Sequence, residues 1–276
     1  MEIMWHGNYN FFDYKGNIAG YTGQDYMAPI QFIMSGVAFA AIVTLLIIFR
    51  NAKKANSKKF FLILGIFMTF MYLAKTTWES YYDITQGDGF NIWILPFDTC
   101  SLIMPALIIA GLSKKDSILE MFAVTFAATI GFAGGISNMI FLRGLKYYPM
   151  FSFGGLYSYF WHVNMIFVAF YIPVTRFHEF KWIDILNGMV ILLAASLVII
   201  PLNYIKGLDF ALLNGAGGVP LVEDLAAWLI SKGLRPLATL AMFAAYLAAN
   251  ALMVSIYIGY QKTVSFVKTR KPVRQN

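Results

Sequence analysis

Charge is scarce in this chain. Only 13% of its 276 residues are Asp, Glu, Lys or Arg, against roughly 25% in soluble globular domains, which argues against a soluble protein. Cysteine is scarcer still. Cys100 stands alone, so no intramolecular disulfide, two-thiol redox motif or cysteine-based zinc site can form. The three histidines, His6, His162 and His178, are too dispersed for a metal centre, and neither metal nor cofactor is expected. A glycine-rich phosphate loop, HExxH and GxSxG are all missing, which removes the usual signs of P-loop, zincin and serine-hydrolase chemistry.

What the chain has is apolar length. Hydrophobic residues make up 59%, with 25 Phe, 16 Tyr and 6 Trp, and such a chain does not stay disordered. A membrane-crossing helix needs about 20 mostly apolar residues. Seven stretches qualify: 29–49, 60–82, 91–112, 118–142, 156–176, 183–205 and 236–259. The sequence therefore predicts an all-α integral membrane protein with a seven-helix bundle over 29–260. A short segment, 1–28, precedes it, and a basic tail, 261–276, follows. Residues 1–28 have no basic start leading into an apolar run, so no cleavable signal is expected and the first span inserts the chain. Aromatic residues cluster at several span ends, among them Tyr81, Tyr82, Tyr147, Tyr148, Trp182 and Tyr260, as interfacial anchors do.

Basic residues orient the bundle. The first, third and fifth connections plus the tail hold 14 Lys and Arg; the opposite faces hold 6. The positive-inside rule then puts the N-terminus outside and the C-terminus in the cytoplasm. The net charge of +7 is explained by cytoplasmic loops beside anionic lipid rather than by nucleic acid. One connection is long, 206–235, on the outer side. Gly215, Gly217, Gly218 and Pro220 mark a turn in it. Leu221, Val222, Leu225, Ala226, Leu229 and Ile230 then recur at helical spacing.

Ionisable groups inside apolar spans are costly and tend to face a bundle interior or a water-filled cavity. Lys75 and Glu79 lie four apart on one face of the second span, in position to pair. Asp98 and Cys100 lie in the outer half of the third, between Pro96 and Pro105, which predicts a distorted helix. His162 occupies the outer half of the fifth span, next to Trp161 and near Asn164. Asn138 closes the fourth span, and Asn203 and Tyr204 close the sixth. Each alone has an ordinary structural reading. Together they place polar groups at similar depth on five helices, as in a pocket open to the outer leaflet. There His162 can take a proton from Cys100 and leave a thiolate nucleophile.

The run WILPFDTCSLIMPALIIAG resembles the proline-to-cysteine motif of the YwaF-like and transmembrane protein 164 family. SYFWHVNMIF supplies a histidine in a later helix, PLNYIKGLDF is similar to that family's asparagine–tyrosine motif, and GAGGVP follows as a Gly-rich turn. The resemblance covers about residues 30–260. It implies a membrane-embedded phospholipid acyltransferase or transacylase, with phospholipids as acyl donor and acceptor, Cys100 as acyl-carrying nucleophile and His162 as its partner. Asp98 stands where many relatives have a histidine, so it becomes a candidate to orient His162 or bind a headgroup. Asn203 or Asn138 is a candidate for oxyanion stabilisation. A bacterial plasma membrane is the expected location. Two rival readings remain: a transporter or channel lined by the same polar residues, and a non-catalytic scaffold or sensor subunit.

Overall fold

The computed structural model describes residues 9–14, 20–87, 89–90, 92–213 and 220–269. Lys15, Asn91, the glycines of the expected 215–220 turn, His6 and the end of the basic tail lie outside the described residues. All regular structure among those described is helical. Ten helices follow in order: α1 (Pro29–Phe49), α2 (Lys54–Thr85), α3 (Ile103–Leu112), α4 (Ile118–Ala128), α5 (Ile130–Ile140), α6 (Phe153–Val174), α7 (Asp184–Asn187), α8 (Val190–Lys206), α9 (Pro220–Ser231) and α10 (Arg235–Thr269).

Among the described residues, five helical segments are long and apolar enough to cross a membrane: 29–49, 54–85, 118–146, 184–206 and 235–267. The other two expected spans differ for physical reasons. Helix α6 has the length, with 22 residues, but Tyr157, Ser158, Tyr159, His162 and Asn164 lower the hydropathy of its first half. The stretch 91–112 is not one helix. It has a 3₁₀ turn at Ile92–Ile94, turns from 95 to 102, and a regular helix of only 10 residues. Pro105 does not distort a helix interior as expected. It falls in the first turn of α3, where an N–H has no partner to lose, and the Ser101 carbonyl accepts from Met104 N–H at 3.2 Å.

Helix α6 is the hub. It packs against α1, α2, α4 and α5, and its buried face includes Tyr159, Trp161, His162, Met165 and Tyr171. The outer surfaces are apolar instead: Phe32, Val37, Phe39 and Ile48 on α1, Leu197 and Ile205 on α8, and Leu240 and Leu252 on α10 are all exposed. This inside-out pattern suits a hydrocarbon solvent.

Where helices break, side chains take the freed backbone groups. The fourth expected span breaks at Thr129 (φ −112°, ψ −75°) into α4 and α5. Thr129 donates its hydroxyl to the Thr125 carbonyl at 2.7 Å, and Tyr257 of α10 donates to the Ala128 carbonyl at 2.7 Å. At the end of α8, Asn203 accepts from Phe210 N–H at 2.9 Å and donates to the Phe210 carbonyl at 3.0 Å. That pair of hydrogen bonds closes the 207–213 turn.

At the start of α2, Glu120 is clamped by Lys58 at 2.9 Å and Lys54 at 3.1 Å. Lys54 also meets Asp116 at 2.6 Å, and its ammonium holds that exposed carboxyl below the usual carboxylate range. Ser117 caps α4 by accepting from Glu120 N–H at 3.2 Å.

Helices α2 and α3 approach backbone to backbone. A methyl group added at Gly111 sits 2.8 Å from the Leu62 nitrogen and 2.9 Å from its Cα, closer than any real contact, and neither atom is free to swing away. Small residues at such crossings are what permits close packing in a membrane. Gly111→Ala is therefore expected to destabilise the protein by about 1–3 kcal/mol. Thermal unfolding in detergent checks this: a lowered Tm is expected, and an unchanged Tm contradicts the close approach.

Candidate functional site

A cavity of about 410 Å³ lies between α2, the 95–102 turn, the 144–148 segment and the first half of α6. Its volume is in the range of small-ligand sites. Five of the sequence-selected residues line it together: Lys75, Glu79, Asp98, Cys100 and His162. They come from three separate parts of the chain, and the fold brings them to one space.

The cysteine is held by its backbone. Residues 98–102 form a single turn, in which the Asp98 carbonyl accepts from Ser101 N–H at 2.9 Å and Leu102 N–H at 3.1 Å. Trp161 of α6 donates its indole N–H to the Cys100 carbonyl at 3.1 Å. Tyr72 of α2 donates its hydroxyl to the Ile94 carbonyl just before the turn. The thiol is thus presented on irregular backbone that α2 and α6 pin from two sides. Lys75 and Asp98 line the same cavity as the thiol.

His162 is fixed in one tautomer. Its Nδ1 is 2.6 Å from the Ser158 carbonyl, one helical turn back. A carbonyl only accepts, so Nδ1 carries the proton and Nε2 keeps its lone pair. Nε2 is buried and has no hydrogen-bond partner. Buried polar atoms are normally paired, so an unpaired lone pair beside a cavity is a base without its acid. Cys100 and His162 therefore share the cavity without being hydrogen-bonded to each other. A cavity-lining orphan nitrogen is a stronger functional sign than the histidine alone.

Lys75 and Glu79 pair at 2.5 Å, as their spacing foretold. The Lys75 ammonium also sits 5.8 Å from the centre of the Tyr157 ring, within cation–π range. Asp98 does not orient His162, whose Nδ1 goes to Ser158. Its Oδ1 instead accepts from Ala211 N–H at 3.3 Å. Ala211 is an alanine at φ 52°, and its carbonyl accepts from the Tyr246 hydroxyl at 2.9 Å.

The remaining three candidates lie outside the cavity lining. Both ends of the Asn203 amide are taken by Phe210. Its link to the site is indirect, through the turn that carries Ala211 to Asp98. Asn138 donates to the Gly134 carbonyl at 3.0 Å on its own helix. Tyr204 meets Thr239 at 3.3 Å and lies under the Arg235 guanidinium. None of these side chains faces Cys100, so the expected oxyanion role finds no support in their placement.

Sequence reasoning missed the aromatic wall. Tyr72, Tyr147, Tyr148, Tyr157 and Trp161 line the same cavity. Part of the signal was present: Tyr157, Ser158, Trp161 and His162 fall on one face of α6 by the i, i+4 rule. An N-terminal cluster stands behind this wall. Tyr14 stacks on Tyr82 and packs against Tyr148, while its hydroxyl meets buried Asp83 at 2.6 Å.

Comparison with known proteins places the chain. A model of the TMEM164 family matches residues 26–260, so the chain belongs to the TMEM164 family. No curated protein and no solved structure matches it.

Proposed function

We propose that this TMEM164-family chain is a membrane enzyme that moves an acyl chain from a phospholipid to a lysophospholipid, with Cys100 as nucleophile and His162 as base. One observation carries the reading. The only thiol of the chain and an unpartnered, tautomer-fixed imidazole nitrogen line one cavity. The acyl-transfer class itself comes from the sequence motifs, and the cavity gives the two residues a common space.

The chemistry balances without a co-reactant. His162 Nε2 takes the Cys100 proton, and Sγ attacks the ester carbonyl of the donor. The ester C–O bond breaks, the departing lysophospholipid oxygen takes the proton from Nε2, and the acyl group stays on sulfur as a thioester. An acceptor hydroxyl then gives its proton to Nε2 and attacks the thioester. The C–S bond breaks, and the proton returns to the thiolate. In the resting arrangement Sγ and Nε2 are not bonded to each other, so the pair closes when substrate enters. Lys75 supplies a cation for a headgroup phosphate, and the aromatic wall keeps bulk water from the thioester.

We also propose seven crossings, with the N-terminus outside and the C-terminus in the cytoplasm of a bacterial plasma membrane. The support is the distribution of basic residues, together with the packing of α6 and the 92–112 segment among the five long apolar helices. On this topology the cavity opens toward the outer leaflet. The donor is then phospholipid and not acyl-CoA, which is cytoplasmic.

Two outcomes test these readings. Protein in nanodiscs given a labelled lysophospholipid is expected to yield labelled diacyl lipid, and Cys100→Ser and His162→Ala to lower the rate by about 100-fold or more. Full activity in either variant contradicts the assignment. In a Cys100→Ser background, cysteine at Asp13 is expected to react with a membrane-impermeant maleimide on intact cells, and cysteine at Asn51 only after lysis. The reverse pattern overturns the orientation and the outward-facing cavity with it.

A further inference from the structure

A second cavity, about 580 Å³, lies at the opposite end of α6 from the Cys100 site, between the ends of α1 and α6 and Tyr260 of α10. From His162 to Arg176 is 14 residues, or roughly 20 Å along a helix. We propose that this cavity binds the phosphodiester headgroup of an anionic phospholipid, held by Arg50 and Arg176, with an acyl chain lying on α1. The proposal goes beyond the acyl-transfer reading and does not depend on it.

The two arginines are the reason. Both line the cavity, both are exposed, and among the described residues neither guanidinium has an ion pair or a hydrogen bond. Arginine at a helix C-terminus ordinarily caps orphan carbonyls. That need is already met here. Ala52 N–H bonds the Phe49 carbonyl at 2.8 Å. At the end of α6, Arg176 N–H bonds Pro173 and Phe177 N–H bonds Ile172, at 3.2 and 3.0 Å. Those two bonds form the usual six-to-one and five-to-two closure, in which the left-handed residue is commonly glycine. The chain instead has Arg176 there, at φ 54°. A guanidinium thus lines the same cavity as Arg50 from a backbone conformation that side chains rarely adopt, and neither arginine has an ion pair among the described residues.

The apolar wall selects a lipid over a free phosphate. Val43, Leu46 and Ile47 of α1 form it. Val43 and Ile47 are exposed, and Phe39, one turn further along the same face, is exposed too. A chain lying over Phe39, Val43 and Ile47 ends its headgroup at Arg50. Arginine forks match phosphate oxygens in paired bonds, and the basic-rich side of the bundle, where both arginines lie, is the one expected to meet anionic lipid.

The test is native mass spectrometry of the full-length protein in detergent, titrated with dioleoyl phosphatidylglycerol, dioleoyl phosphatidylcholine or glycerol 3-phosphate. Wild type is expected to retain one phosphatidylglycerol more tightly than phosphatidylcholine. Arg50→Gln with Arg176→Gln is expected to weaken it roughly tenfold or more. Val43→Trp, which fills the apolar wall and leaves every charge in place, should weaken it as well. Lys114→Gln with Lys115→Gln removes the same charge elsewhere and is expected to change nothing. Three outcomes overturn the proposal: wild-type affinity in the double-arginine variant, an equal loss in the double-lysine variant, or displacement of the lipid by equimolar glycerol 3-phosphate.

Discussion

Non-helical backbone inside an apolar bundle must find a partner for each exposed amide and carbonyl, because lipid offers none. The turn at 95–102 lives under this constraint, and the cavity is arranged around meeting it. Tyr72 takes the Ile94 carbonyl, Trp161 takes the Cys100 carbonyl, and the Asp98 carbonyl takes two amides within the turn. These bonds fix where α2 and α6 stand relative to the thiol. They also bring the Lys75–Glu79 pair and His162, which sit on the same two helices, to the walls of one space.

A second irregular turn supports the first. Asn203 clamps Phe210, the next residue Ala211 lies at a left-handed φ, and Ala211 N–H meets Asp98. Asp98 thereby joins the loop after α8 to the loop before α3. A carboxyl group that accepts a backbone amide has a structural job in this turn. Its side chain also lines the cavity, so the same residue holds the loop and faces the site.

Much of this was legible in the sequence because membrane residues that break the apolar rule are few. Lys75, Glu79, Asp98, Cys100 and His162 stand out against their spans, and the fold gathers all five. The first span, 29–49, coincides with α1, since a lone apolar run bounded by polar residues has one reading. The stretch 91–112 has the composition of a span, yet among its described residues only the last ten form a regular α-helix. Hydropathy reports burial and is blind to φ and ψ. Asn203 drew attention for the right rarity and the wrong reason: the amide serves the backbone of a turn, and only a three-dimensional contact reveals which amide it serves. The tyrosines of the cavity wall were hidden by their number, 16 in all, most of which suit an interface equally well.

The central claim is that Cys100 carries the acyl group. Its most direct test is intact-mass and peptide mass spectrometry of the purified protein after incubation with phospholipid alone. One acyl adduct is expected, on the peptide containing Cys100, removed by neutral hydroxylamine as thioesters are. The adduct is expected to be absent in Cys100→Ser and to form more slowly in His162→Ala. An active preparation that transfers acyl chains and never carries a hydroxylamine-labile adduct, under conditions that trap thioesters, would contradict it.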